Sequence, residues 1–145
     1  MEVDVLTEIE IAAPRMEVAS YASDPENATS WYRNIKLIEW KTEKPLRPGS
    51  QVAFVAHFLG RTITYTYEVK EITRGERLVM ATSEGPFAME TTYMWSDSPG
   101  GGTKMALRNR GCPSGFGKLA APIMSGAMRR ENGKDLARLK EILER

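Results

Sequence analysis

The chain has 145 residues, 41% of them hydrophobic and 27% charged, which is the size and composition of one globular domain and excludes a disordered polymer. Twenty Lys and Arg stand against nineteen Asp and Glu, a net charge of +1, so no global electrostatic argument favours a nucleic acid or another polyanion as partner. The single Cys112 and single His57 exclude a disulfide framework and a Cys/His zinc centre, and no apolar run approaches the ~18–20 residues of a membrane span.

Met1-Glu2-Val3-Asp4 carries acid where a signal peptide carries base, so a cytoplasmic setting is expected. Between Val3 and Ile11, Val3, Val5, Ile9 and Ile11 share one parity and acidic residues fill much of the other, the pattern of a half-buried strand. Pro14 suits a first helical turn, with Met16, Val18, Ala19 and Tyr21 on the helix it opens. Asp24-Pro25 repeats the signal with Asp as N-cap, leading to a second short helix that ends near Trp31 and Tyr32.

Six strand-like runs follow, at 35–42, 51–58, 61–72, 78–83, 87–95 and 103–109, separated by turns rich in Gly and Pro. In the third, Ile63, Tyr65, Tyr67 and Val69 alternate with Thr62, Thr64, Thr66, Glu68 and Lys70, which assigns an inner and an outer face. Short connections favour an antiparallel meander over parallel crossovers. After Pro113 the period becomes helical. Leu119, Ala120, Ile123, Met124, Ala127 and Met128 form one apolar stripe, and Leu136, Leu139, Ile142 and Leu143 another, about 120° out of phase. Pro122 and Gly133 are the places where a bend is expected to absorb the difference. A sheet with one apolar face must cover it, and only this C-terminal helix is long enough. The expected fold is α+β, a seven-stranded curved antiparallel sheet gripping a long C-terminal helix, with two short helices between strands 1 and 2, all in one domain over residues 1–145.

Ile9-x-Ile11-x-Ala13-Pro14, Val18, Asp24-Pro25-Glu26, Trp31, Pro48-Gly49, Gly102-Thr103 and Asp135-Leu136-x-x-Leu139-Lys140, in this order, resemble the START-like and pollen-allergen-like superfamily. Within it the chain is similar to the polyketide cyclase/dehydrase and lipid-transport-like branch. The resemblance implies the helix-grip fold and a cavity between sheet and helix that holds a hydrophobic small molecule, with no cofactor. These motifs are turn and core chemistry, specific to fold rather than to a reaction.

Strand parity supplies the lining of such a cavity. Tyr65, Tyr67, Phe87, Met89, Thr91, Tyr93, Trp95, Met105, Leu107 and Asn109 fall on inner faces, opposite Phe116, Leu119, Ala120, Ile123, Met124, Ala127 and Met128 of the helix. Eight Met suit a pliable pocket, because an unbranched thioether adapts to irregular space; an ordinary filled core would use the same residues. Tyr65, Tyr67, Tyr93 and Asn109 bring polar tips to that face, to be satisfied by one another or by a ligand.

Other constellations are weaker. His57 is the natural general acid or base, yet its strand can equally present it to solvent. Glu90 is expected opposite Arg108 in a cross-strand pair, unless Arg108 enters the cavity to hold a carboxylate or phosphate; Glu68 and Lys70 belong to a solvated face. Gly100-Gly101-Gly102-Thr103 lacks the Lys-Ser/Thr ending of a phosphate loop and precedes a strand, so it reads as a hairpin turn. Cys112, Ser114 and Ser125 have no context for a nucleophile.

Three functions remain open. The first is binding of a lipid, fatty acid or polyketide-like aromatic. The second is a cyclase, aromatase or dehydratase drawing on Tyr65, Tyr93, Asn109 and His57. The third is a chaperone-activator-like interaction module with an exposed apolar patch.

Overall fold

The computed structural model describes residues 3–85, 87–112 and 121–145. Strand β1 (Val3–Ile11) alternates as its sequence demands, with Val3, Val5 and Ile11 buried and Asp4, Leu6, Glu8 and Glu10 exposed. Pro14 then stands at the cap of helix α1 (Arg15–Ser23) in extended backbone, one position before the first turn where the pattern placed it. The Asp24 carboxylate accepts the Glu26 amide at 3.0 Å and caps a 3-10 turn, Pro25–Asn27, which runs into helix α2 (Ala28–Trp31). That is the Asp-Pro start the sequence implied.

The remaining strands are β2 (Ile35–Trp40), β3 (Gln51–Phe58), β4 (Arg61–Thr73), β5 (Arg77–Glu84), β6 (Ala88–Asp97) and β7 (Thr103–Cys112). They form one curved antiparallel sheet of seven strands in the order β1-β7-β6-β5-β4-β3-β2. Strands β2 to β7 are a meander, and β1 closes the far edge by pairing with β7, so the first two strands of the chain are the two edges. Register shifts interrupt the pairing at Ile35/Leu37, Thr66/Tyr67 and Val69/Glu71, and two of them bear on the core. One between Ile35 and Leu37 leaves Leu37 64% exposed; one between Val69 and Glu71 flips the parity and turns Ile72 onto the core.

Helix α3 (Ala121–Leu143) packs across the concave face and is continuous through Gly133. Its buried side is one stripe of Met124, Ala127, Met128, Asn132, Asp135, Leu136 and Leu139. The two apolar stripes read from sequence looked out of phase because Asn132 and Asp135, which join them, are polar. Ile123, expected inside, is 58% exposed. The end of α3 is pinned to the first strand: Lys140 donates to the Glu10 carbonyl at 2.9 Å, and Glu144 accepts the Ala12 amide at 2.8 Å.

The interior has two parts. Around Leu136 and Leu139, α3 meets Ile11, Val18, Trp31, Leu78, Trp95, Met105 and Leu107 in a packed core. Around Met124 and Met128 it faces Val52, Phe54, Ile63 and Met89. The hollow lies at this second part and is bordered by Trp31, Leu78, Met80 and Tyr93 of the first.

Candidate functional site

A cavity of about 140 Å³ lies between α3 and the inner face of the sheet, next to α2. Its walls are Trp31 from α2, Phe54 from β3, Ile63 from β4, Met80 from β5, Phe87 and Met89 at β6, and Met124 and Met128 from α3. Alternation along each strand brings these side chains to one face, and α3 closes over them. Asn34, His57 and Glu131 belong both to this lining and to a shallow surface depression with Gly60, Ala127 and Arg130, which places the mouth there.

The polar groups of the lining include four tyrosines, Tyr32, Tyr65, Tyr67 and Tyr93, and the carboxyls of Asp24, Glu131 and Asp135. Tyr32 and Tyr93 share a hydrogen bond of 2.6 Å between hydroxyls, and Tyr67 shares one of 2.7 Å with Thr91. Each pair uses one of its two hydroxyl protons and keeps the other. Tyr65 stacks on Phe54 with ring centroids 5.4 Å apart, and its hydroxyl has no hydrogen-bond partner among the described residues. Gly85 makes room for it: its φ is +150°, and a Cβ there would stand 2.8 Å from the Tyr65 Cβ. Burial pushes the Tyr67 phenol up to about 12, with the Thr91 bond pulling the other way. It raises Tyr32, Tyr65 and Tyr93 as well, helped by the negative charge of Asp135. These hydroxyls are therefore neutral donors at physiological pH, not phenolate bases.

Asp135 is 2% exposed, and its carboxyl accepts the Arg33 amide at 3.0 Å. Burial raises its pKa to about 6; the Arg33 amide opposes the rise and the nearby Glu131 charge adds to it. Asn132, also buried, donates to Asn109 at 3.4 Å. A buried carboxyl titrating near neutrality among hydroxyl donors can bind, orient or exchange a proton with a ligand.

The side chains expected at the cavity divide into three groups. Tyr65, Tyr67, Phe87, Met89, Thr91, Tyr93, Asn109, Met124 and Met128 line it. Trp95, Met105 and Leu107 point to the same side of the sheet but belong to the packed core, because β6 and β7 run past the hollow into the solid end of the interior. Ile123 faces solvent, Ala127 lines only the outer depression, and Phe116, Leu119 and Ala120 lie outside the described residues. His57 is exposed at the mouth. Arg108 makes a two-pronged ion pair with Asp4 of β1, at 2.9 and 2.7 Å, and faces Thr92 across the strands; Glu90 is opposite Arg110 instead. The expected Glu90–Arg108 register is thus off by two residues. Asp135, Asn132, Glu131 and Tyr32 were not anticipated. The signal was present, since Met124, Met128, Asn132, Asp135 and Leu139 keep helical spacing, but it shows only when polar residues count as part of the stripe.

A family model, described as polyketide cyclase / dehydrase and lipid transport, matches residues 2–144. The chain belongs to this family. The family description supports binding of hydrophobic ligands in general. No curated protein matches the sequence. Among solved structures, the family member described here is similar to the TTHA0849 protein of Thermus thermophilus, with TM-score 0.81 and 23% identity over 97% of this chain and 96% of that one. It is also similar to the Zhui aromatase/cyclase of a Streptomyces species, with TM-score 0.83 and 16% identity over 100% and 95% of the two chains. A START superfamily protein of Mycobacterium smegmatis gives TM-score 0.83 and 17% identity over 97% of each chain. At these identities the likeness is one of fold, the helix-grip arrangement of a curved antiparallel sheet around a C-terminal helix. None of its described helices is long and apolar enough to cross a membrane, and no cluster of three or more His, Cys, Asp or Glu suited to a metal occurs among the described residues.

Proposed function

We propose that this protein binds an apolar small molecule in the cavity between the sheet and α3, holding one polar group of that molecule with the tyrosine hydroxyls and Asp135. The observation that carries this reading is the contrast within one interior. One end of α3 is close-packed, whereas the other faces a hollow lined by Phe, Met and Tyr, with a hydroxyl at Tyr65 that has no partner among the described residues. Protein interiors hold few voids larger than a water molecule, and binding pockets are mostly apolar with a few convergent polar groups. Methionines at 80, 89, 124 and 128 give the walls side chains that adapt to the occupant.

Native mass spectrometry of gently purified protein, followed by organic extraction, tests this directly. A near-stoichiometric adduct that partitions into solvent is the expected result. A bare mass, with no thermal shift across a panel of flavonoids, sterols and aromatic alcohols, would overturn it.

A second reading, cyclisation or dehydration of the ligand, is favoured by one observation: the near-neutral carboxyl of Asp135 beside neutral phenols. Under that reading Asp135→Asn and Tyr65→Phe abolish turnover of a β-keto thioester probe, whereas under simple binding no turnover is seen in either the parent or the variants.

A further inference from the structure

The polar end of the cavity is acidic. The ionisable groups of its lining other than tyrosine are Asp24, Glu131, Asp135 and His57, and among the described residues no Lys or Arg lines it. Glu131 and Asp135 are four residues apart on α3, so their carboxyls are neighbours on one helix face. Asp135 is almost fully buried, and its only hydrogen bond among the described residues comes from the Arg33 amide. Among the described residues Glu131 accepts only a long contact, 3.4 Å, from Asn34. A carboxylate has about four acceptor positions, and a buried one is normally paired with a cation. Here two carboxylates keep most of that capacity at the edge of a hollow.

We propose that the cavity selects an apolar ligand bearing a protonated amine, with the ammonium between Asp135 and Glu131 and the hydrocarbon body against Phe54, Met89 and Met124. This rests on the cavity being a ligand site. An ammonium offers three donors, enough for both carboxylates and a tyrosine oxygen, and its charge relieves the repulsion between Glu131 and Asp135. A fatty-acid carboxylate in the same place meets two like charges. A hollow of about 140 Å³ matches a single-ring body, since an apolar cavity of roughly 150 Å³ accepts benzene.

The test compares three probes of one shape, 2-phenylethylamine, 2-phenylethanol and 3-phenylpropionate, titrated calorimetrically against the whole protein at pH 7.5. The amine is expected to bind about tenfold or more tighter than the alcohol, and the propionate weaker than both. Asp135→Asn, which keeps an oxygen for the Arg33 amide, brings the amine down to the affinity of the alcohol. Glu131→Gln, at the half-exposed mouth, reduces amine affinity severalfold and serves if the buried variant folds poorly. The groups facing Asp135 are Tyr32 and Arg33 after α2, Tyr65 and Tyr93 from the sheet, and Glu131 and Lys134 on α3. With these in place, amine affinity falls as the pH drops through about 6 while alcohol affinity stays level. Equal binding of amine and alcohol, or tightest binding of the propionate, overturns the amine assignment and leaves the cavity reading standing. Failure of all three to bind overturns both.

Discussion

Asp135 makes a residue-scale claim that can be checked without any ligand. Its carboxyl is raised by burial to about 6 from an ordinary 3.8, so the folded state holds the proton more tightly than the unfolded chain does. The sign follows from linkage. Between pH 4 and 6 the unfolded state has lost the proton and the native state keeps it, so stability falls as pH rises through this window and the penalty is complete above it. Two pH units correspond to roughly 3 kcal/mol as an upper value. Asp135→Asn carries no charge to bury. It is therefore expected to melt higher than the parent at pH 8, by several degrees, and at nearly the same temperature at pH 4; a variant less stable at pH 8 would contradict the assignment. Tyr93→Phe tests the neighbouring pair. It leaves the Tyr32 hydroxyl without its 2.6 Å partner, at an expected cost of about 1–2 kcal/mol in chemical denaturation. At this scale the strands were more readable than the helix. Tyr65, Tyr67 and Tyr93 follow from a period of two, in which a residue's face depends on parity alone. Asp135 and Asn132 do not, because apolar periodicity alone misses the polar members of a buried helical stripe.

At the scale of elements, α3 has two different jobs along its length, and single truncations separate them from solvent-facing positions. Leu139 is fully buried in the packed end, so Leu139→Ala is expected to cost about 2–5 kcal/mol. Ile123 is 58% exposed, and Ile123→Ala is expected to change stability by less than about 0.5 kcal/mol, measured by urea unfolding of both variants. Equal costs would mean that α3 is seated differently on the sheet. The seven strands, the two short helical pieces and the long helix were all legible, because turn residues punctuate this chain clearly: Asp24-Pro25, Pro48-Gly49 and Gly100-Gly101-Gly102 each fall at an element boundary. Register was not. Parity within a strand says nothing about which residue of the neighbour stands opposite, and so the expectation of Glu90 opposite Arg108 fails where the sheet pairs Glu90 with Arg110. The bulges at Ile35/Leu37 and Val69/Glu71 likewise carry no Gly or Pro that would mark them in the sequence.

Across the whole molecule, the fold sets a solid half against a hollow half under one helix, and the family to which the chain belongs supports hydrophobic ligands in general. Packing between elements decides which inner-face residues meet the hollow and which meet one another. Trp95, Met105 and Leu107 have the same parity as Tyr93, Met89 and Asn109, yet only the latter three reach the cavity. The methionines divide along the same line and report on it. Met80, Met89, Met124 and Met128 line the cavity, Met105 is sealed in the packed core, and Met16 is on the surface. The most direct measurement is therefore a titration of methyl-13C-methionine protein with a ring-sized aromatic alcohol, followed by NMR. A cavity that takes an apolar ligand predicts saturable shifts at the four lining methyls and none at Met16 and Met105. Shifts confined to Met16, or no saturable shift at any methyl, would contradict it.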